Sequence, residues 1–242
     1  MGKKGGRNKL KRLAAPKSWD ISRKSSRFVF KPRPGPHSTS ASYPLGLVVR
    51  SIGSTEYLIR ELNFMLQTGK VLVDGKERRE TGFPVGLFDL VSVPSEGATY
   101  RMLPTPKGLV PSKVPEGESG RKLCSVKAKT TVKGGHTQYG LHDGRSILGD
   151  GLGLSPGDSV LLEVPSQKVV GQAKLQKGSL GMVLTGERAG QLGKIAEVKK
   201  GTVSREKMVK IALASGDAEI PSRLVFPVGS DKPLIGIGVA SA

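Results

Sequence analysis

The sequence has 242 residues, with 39 Lys and Arg against 20 Asp and Glu, a formal charge of +19 and a hydrophobic fraction of 36%. That length suits roughly one large domain or two to three small ones, and so low an apolar fraction favours small domains over one large core. Cys124 is the single cysteine, His37, His136 and His142 lack metal-ligand spacing with it, and no apolar run is long enough for a membrane span or a signal core, so a disulfide framework, a metal site and a membrane protein are all excluded as expectations and the chain is placed in the cytoplasm.

A positive balance of this size asks for a polyanionic partner, because each neutralised phosphate releases condensed cations. The plain alternative is a soluble protein that is merely basic. The excess is concentrated at the start of the chain. Residues 1–35 carry Lys3, Lys4, Arg7, Lys9, Lys11, Arg12, Lys17, Arg23, Lys24, Arg27, Lys31 and Arg33 against Asp20 alone, a net +11. Too few apolar residues accompany them to offset the entropy of ordering, so this arm is expected to be mobile on its own. A solvated tail or an import signal is the blander reading of such a run. Trp19, Phe28 and Phe30 interleave with the charges and suit either stacking on bases or packing on the protein's own surface.

Lys31 to Ser40 reads as a linker, because Pro32, Pro34, Gly35 and Pro36 exclude helix and central strand. Leu45 to Arg50 opens an apolar segment. From Ser54 onward Leu58, Ile59, Leu62, Met65 and Leu66 fall on one helical face, with Ser54 or Thr55 as cap and Gly69 as stop. Arg60, Glu61, Asn63 and Gln67 take the other side. Val71-Leu72-Val73 followed by Asp74-Gly75 predicts a strand and a tight hairpin turn. Lys70, Lys76, Arg78 and Arg79 surround that hairpin, and Phe83 to Gly86 and Leu90 to Val93 supply further β structure. A helix with a basic hairpin is a compact surface for RNA shape and phosphates; ordinary solvated charge is the competing reading.

Residues 95–122 are rich in Pro, Gly and Ser and predict loop. Beyond them short Val/Ile/Leu/Thr runs alternate with Gly134-Gly135, Asp143-Gly144 and Pro156-Gly157-Asp158, a β pattern. His142 and Asp143 look like an acid–base pair only superficially, since turn chemistry accounts for Asp143-Gly144. The block from Ser179 to Ile195 sets apolar strands around Gly186, Gly190 and Gly193, where positive φ or close backbone approach costs least, and predicts a small barrel. These glycines lack the strand-to-helix context of a phosphate-cradling nucleotide loop, so no nucleotide cofactor is expected.

Taken in order, these segments resemble one family along most of the chain. Asn8 to Trp19, then Pro34-Gly35-Pro36-His37, are similar to the opening of the small-subunit ribosomal protein S-four-e family of archaea and eukaryotes. Gly69 to Lys76 with Phe83 to Leu87 resembles its S-four-type RNA-binding domain, and Thr131 to Gly135 with Leu141 to Arg145 its central β domain. Gly186 to Ile195 resembles its KOW motif, and Val225-Phe226 with Gly229 its closing strand. The chain departs at Ser51, where the family has an acidic residue, and in a shortened KOW loop carrying Glu187 and Gln191. RNA contact is accordingly expected more of the arm than of that loop. The length resembles archaeal members.

The resemblance implies an α+β, mostly β chain: a basic arm and linker (1–42), a small α/β S-four-type RNA-binding domain (43–106), a central β domain (107–172) and an SH3-like KOW barrel with the C-terminal tail (173–242). It implies a structural constituent of the small ribosomal subunit that binds ribosomal RNA and neighbouring ribosomal proteins, without cofactor, metal or small-molecule substrate. The expected RNA contacts are Lys3, Lys4, Arg7, Lys9, Lys11, Arg12, Lys17, Arg23, Lys24, Arg27, Arg60, Lys70, Lys76, Arg78, Arg79, Arg188 and Lys194. Two other classes compete. An RNA-modifying enzyme needs a catalytic constellation, and none is visible in the glycine-rich β half. A KOW-containing transcription elongation factor leaves the basic arm and the central block without a role.

Overall fold

The computed structural model describes residues 9–22, 24, 26–52, 57–94, 97–202 and 205–237. From Lys9 onward the arm is not the mobile tail expected of it. Strand β1 (Leu10–Lys11) pairs antiparallel with β2 (Phe28–Val29), and Trp19 between them is 5% exposed. Its indole N–H donates to the Ser42 carbonyl at 2.8 Å, its ring packs 5.9 Å from that of Tyr43, and the Tyr43 hydroxyl donates to the Ser18 carbonyl. One large aromatic with a satisfied polar atom supplies the burial that the composition of the arm appeared to lack.

The chain then enters β3 (Tyr43–Pro44) and helix α1 (Leu45–Ile52), which buries Leu45, Val48 and Val49. Gly46 lets the helix approach Phe30, whose ring would stand 3.1 Å from an added Cβ. Helix α2 (Ile59–Gln67) buries Leu62 and Leu66 completely. Two of the five residues assigned to its core stripe are instead exposed, Leu58 at 68% and Ile59 at 55%. The helix begins later than its apolar pattern: Leu58 is the residue preceding the first turn, and the Glu61 carboxylate accepts its N–H at 3.0 Å. The proposed caps Ser54 and Thr55 lie outside the described residues. Gly69, at φ +73, ends the helix as expected. Its N–H donates to the Leu66 carbonyl and that of Lys70 to Met65, which satisfies two terminal carbonyls.

Strands β4 (Leu72–Val73) and β5 (Lys76–Glu77) form the expected hairpin. Asp74 and Gly75 both have positive φ, at 51° and 72°, as a two-residue turn matched to strand twist requires. Next come β6 (Pro84–Val85), which pairs with β3, and β7 (Leu90–Val93). The loop expected over 95–122 is a second hairpin, β8 (Ala98–Thr105) and β9 (Gly108–Lys113). Its prolines misled because they stand where a strand tolerates them. Pro104 lies past the last β8 residue paired with β7, and Pro111 lies on the outer strand of the sheet.

Three five-stranded antiparallel sheets organise the chain. The first has the order β5-β4-β7-β8-β9. The second contains β10 (Arg121–Thr131), β11 (Thr137–Leu141), β12 (Ser146–Leu148), β13 (Ser159–Glu163) and β14 (Lys168–Ala173), in the order β12-β11-β10-β13-β14. The third contains β15 (Leu180–Val183), β16 (Leu192–Lys199), β17 (Met208–Leu213), β18 (Gly216–Pro221) and β19 (Val225–Gly229), in the order β18-β17-β16-β15-β19. With nineteen strands and two α-helices among the described residues, the chain is α+β and mostly β. The 106/107 boundary suggested by sequence falls in the turn of the β8–β9 hairpin, so the first sheet continues to Lys113. Each sheet has its own core, and a fourth core is shared. Phe88 and Leu103 from the first sheet's segment meet Leu123 and Leu161 from the second and Met182, Phe226 and Val228 from the third.

Candidate nucleic-acid interface

Lys3, Lys4, Arg7 and Arg23 lie outside the described residues. Of the other arm cations, Lys9, Lys11, Lys17, Lys24 and Arg27 are exposed, while Arg12 is half-buried and donates to the Ser22 carbonyl at 3.3 Å. Phe28 is the one of the three interleaved aromatics that faces solvent, at 42% exposure. Lys9 Nζ and Arg27 Cζ stand 5.4 and 5.6 Å from its ring centre, so an aromatic surface is held between two cations. Phe30 packs against α1 and, like Trp19, belongs to the first core.

Arg60, Lys70, Lys76 and Arg79 are exposed on α2 and the β4–β5 hairpin. Arg79 lies 3.5 Å from Glu77. Arg78 differs: it is half-buried, with its guanidinium 4.3 Å from the Phe83 ring centre, so it braces the fold. The arm and this hairpin belong to one unit, joined by the Arg33 N–H to the Gly82 carbonyl at 2.8 Å and by Arg33 to Glu80 at 2.6 Å. The third sheet holds the remaining two candidates. Arg188 is half-buried beside the glycine loop, and Lys194 is exposed, 3.8 Å from Asp231.

A buried ionic cluster between the first and second sheets was not foreseen from the residue pattern. Lys122 on β10 is 0% exposed, and its ammonium lies 2.7 Å from Asp74, 2.6 Å from Asp89 and 3.0 Å from Asp143. Arg145 adds contacts to Asp74 at 2.6 Å and Asp143 at 3.4 Å, and His37 to Asp89 at 3.1 Å. Burial opposes charge on Lys122, yet Asp89 and Asp74 raise its pKa above the ordinary lysine value. Burial likewise opposes ionisation of Asp89 and Asp143, and the Lys122 ammonium nevertheless holds both below the usual carboxylate range. Asp74 goes the other way, pushed up by burial and by the neighbouring Asp89 charge.

His142, Asp143, Cys124 and Lys122 thus converge in a way that imitates a catalytic site. The geometry argues against that use. Cys124 and Lys122 have no solvent exposure, and burial pushes the thiol pKa up, away from the thiolate a nucleophile needs. His142 Nδ1 accepts the Ser125 N–H at 3.2 Å and Nε2 meets the Leu87 carbonyl at 3.2 Å, an arrangement that fits the neutral ring. Asp143 also fulfils the turn role read from sequence, accepting the Arg145 N–H at 3.2 Å. Among the described residues no group of three or more His, Cys, Asp or Glu side chains is placed to hold a metal ion, and no helix is long and apolar enough to cross a membrane. The cluster is a clamp joining the units that carry the basic surfaces.

Comparison with known proteins places this architecture. Residues 96–169 match the ribosomal family S4e, and residues 4–40 match the RS4NT domain. The chain is 38% identical to the small ribosomal subunit protein eS4 of Methanothermobacter thermautotrophicus over 233 residues, 96% of each chain. It is 41% identical over 204 residues to the eS4 protein of Korarchaeum cryptofilum, covering 84% of this chain and 86% of the relative. The crystal structure of the 30S ribosomal protein S4e from Thermoplasma acidophilum superimposes with a TM-score of 0.67 at 28% identity, covering 82% of this chain and 99% of that one. With near-complete coverage at this level of identity, the chain belongs to the ribosomal S4e family.

Proposed function

We propose that this protein is a structural constituent of the small ribosomal subunit, binding its ribosomal RNA and neighbouring ribosomal proteins in the cytoplasm, and that it performs no catalysis. The observation that carries this reading is the near full-length likeness to relatives named small ribosomal subunit protein eS4. The net charge of +19 supports it, with arm cations exposed on a folded base. The arm contributes its described cations Lys9, Lys11, Arg12, Lys17, Lys24 and Arg27, and Lys3, Lys4, Arg7 and Arg23 extend it. Arg60, Lys70, Lys76 and Arg79 form a second phosphate-contacting surface on the S-four-type unit. Arg188 and Lys194 are peripheral contacts on the KOW barrel. The units are best divided as an arm to residue 42, an S-four-type unit through β9, a central β unit through β14, and the KOW barrel beyond it.

Truncating residues 1–35 would remove Trp19 from the core and confuse folding with binding. A cleaner test replaces the exposed Lys9, Lys11, Lys17, Lys24 and Arg27 by Gln and titrates the full chain with small-subunit ribosomal RNA across a salt series. Each lost phosphate contact should flatten the plot of log affinity against log salt by about 0.7 to 0.9, so the five together should remove about 3.5 to 4.5 from the slope. A slope unchanged by all five substitutions would remove the arm from the interface.

A further inference from the structure

Strands β10 and β11 do more than build the second sheet. Strand β13 pairs with β10 only over Arg121–Ser125, whereas β10 continues against β11 to the Thr131–Thr137 pair. On its far side β11 is covered by β12 only over Gln138–Gly140. The hairpin end therefore forms a ribbon whose β10 edge is open past Val126, while β12 still flanks β11 over Gln138–Gly140 and only the tip beyond the Thr131–Thr137 pair passes both neighbouring strands. Lys127, Lys129 and Lys133 lie along it, all exposed, with exposed Thr130 and Thr131 between them. Lys127 sits at an irregularity, where the register shifts between Val126 and Ala128. No acidic residue occurs from Arg121 to His142; the carboxylate nearest the tip is that of Asp150, which accepts the Thr137 N–H at 2.9 Å and pairs with His136 at 2.5 Å, leaving the three lysines to themselves.

The tip is bare. Gly134 and Gly135 turn the chain at φ +91 and +81, and an added Cβ on Gly135 would meet nothing within 4 Å. A backbone with two successive side-chain-free residues can approach another backbone closely.

These lysines also lack the carboxylate partners that several other surface cations have. On the β16–β18 region Lys199 pairs with Glu219 at 3.0 Å and Lys210 with Asp217 at 3.2 Å. On the β4–β5 hairpin Arg79 faces Glu77, and Arg78 lies on Phe83. Among the described residues none of Lys127, Lys129 and Lys133 makes an ion pair; Lys129 only lies over the Tyr139 ring at 5.7 Å. Three uncompensated ammonium groups on one narrow ribbon, with threonine hydroxyls between them and a glycine tip, match a phosphodiester backbone: cations for the phosphates, hydroxyls for phosphate or ribose oxygens.

We infer that the β10–β11 ribbon is a further RNA-gripping element, in which Lys127, Lys129 and Lys133 neutralise phosphates of the small-subunit RNA while the Gly134-Gly135 tip lies against its backbone. This rests on the proposed ribosomal role and adds a contact surface on the central unit. The contrasting role for lysines on a projecting strand is to prevent edge-to-edge pairing with other chains, which requires no RNA.

The test is a salt titration of the full chain carrying Lys127→Gln, Lys129→Gln and Lys133→Gln, beside a control with Lys199→Gln and Lys210→Gln, whose ammonium groups are paired with carboxylates. The ribbon variant should lose about 2 to 3 from the log–log slope and the control should lose less. Equal losses in both variants, or none in the ribbon variant, would overturn the inference. Acetylation footprinting of the unaltered chain reads the same contact without substitution. Lys127, Lys129 and Lys133 should be protected by the RNA, and equal modification with and without it would contradict the ribbon contact. If the unaltered chain itself shows no salt-dependent affinity for the RNA, the ribosomal reading fails. If it binds steeply and only the ribbon proves silent, this inference fails alone.

Discussion

His142 shows how one side chain connects burial, charge and stability. Its ring is lowered to about 4 from the ordinary 6.5, first by burial and then by the Lys122 charge. Its Nδ1 already accepts the Ser125 N–H and so has no place for a proton. Between about pH 6.5 and 4 the unfolded chain therefore takes up a proton that the native chain refuses. Stability from neutral His142 is complete above pH 6.5 and is lost as pH falls toward 4, amounting to about 3 kcal/mol for a shift of this size. Asp89 and Asp143, held low by Lys122, add losses at more acidic pH, while Asp74, raised above its ordinary value, opposes them. Urea melts should show stability declining from pH 7 to 4.5, and His142→Gln should flatten that decline. An undiminished decline in the variant would assign the titration elsewhere. None of this was legible beforehand, because Asp74, Asp89, Lys122 and Asp143 are brought together by tertiary pairing and have no common spacing.

At the scale of elements, turn chemistry was the most legible feature. Asp74-Gly75, Gly134-Gly135, Asp143-Gly144 and Gly157 all turn the chain where their residue types implied, with positive φ at each glycine. The apolar stripe of α2 was legible only in its second half, since Leu58 and Ile59 precede the turns that face the core. The hairpin β8–β9 was missed because its composition reads as loop and β8 offers no alternation to set against it, since Arg101, Met102, Leu103 and Pro104 are buried in succession. Phe88 carried no signal either. It takes φ +60, costly for a side chain with a Cβ, and is held there by full burial 4.9 Å from Phe226.

The glycine loop offers a graded test of this element-level reading. Gly190 combines φ +83 with an approach that would put an added Cβ 2.5 Å from the Pro104 carbonyl oxygen. Gly193 has no positive φ, but its Cβ would strike the Ala212 carbonyl. Gly186 has φ +93 and open space. Alanine at 190 or 193 should cost clearly more than about 1 kcal/mol, and alanine at 186 about 1 kcal/mol or less. Thermal melts of the three variants check the order. Parent-like melting of the Gly190 and Gly193 variants would contradict the packing of this loop.

The molecule as a whole is a set of small sheets made into one body by the shared core around Phe88, Leu103, Leu123, Leu161, Met182 and Phe226 and by the Lys122 clamp. Composition announced small units and an excess of positive charge; it did not announce how tightly the units are joined. The basic arm was legible as a charge pattern, but its folding depends on Trp19 and Tyr43, a contact between residues 24 apart in the chain. Packed units with cations on the arm, the S-four-type unit and the β10–β11 ribbon suit holding several RNA segments in fixed relation. Membership of the small subunit is tested most directly by sedimentation of an epitope-tagged full chain expressed in an archaeal host. The tag should co-migrate with small subunits and with the assembled ribosome. Migration with RNA polymerase, or a tag remaining in the unbound fractions, would contradict it.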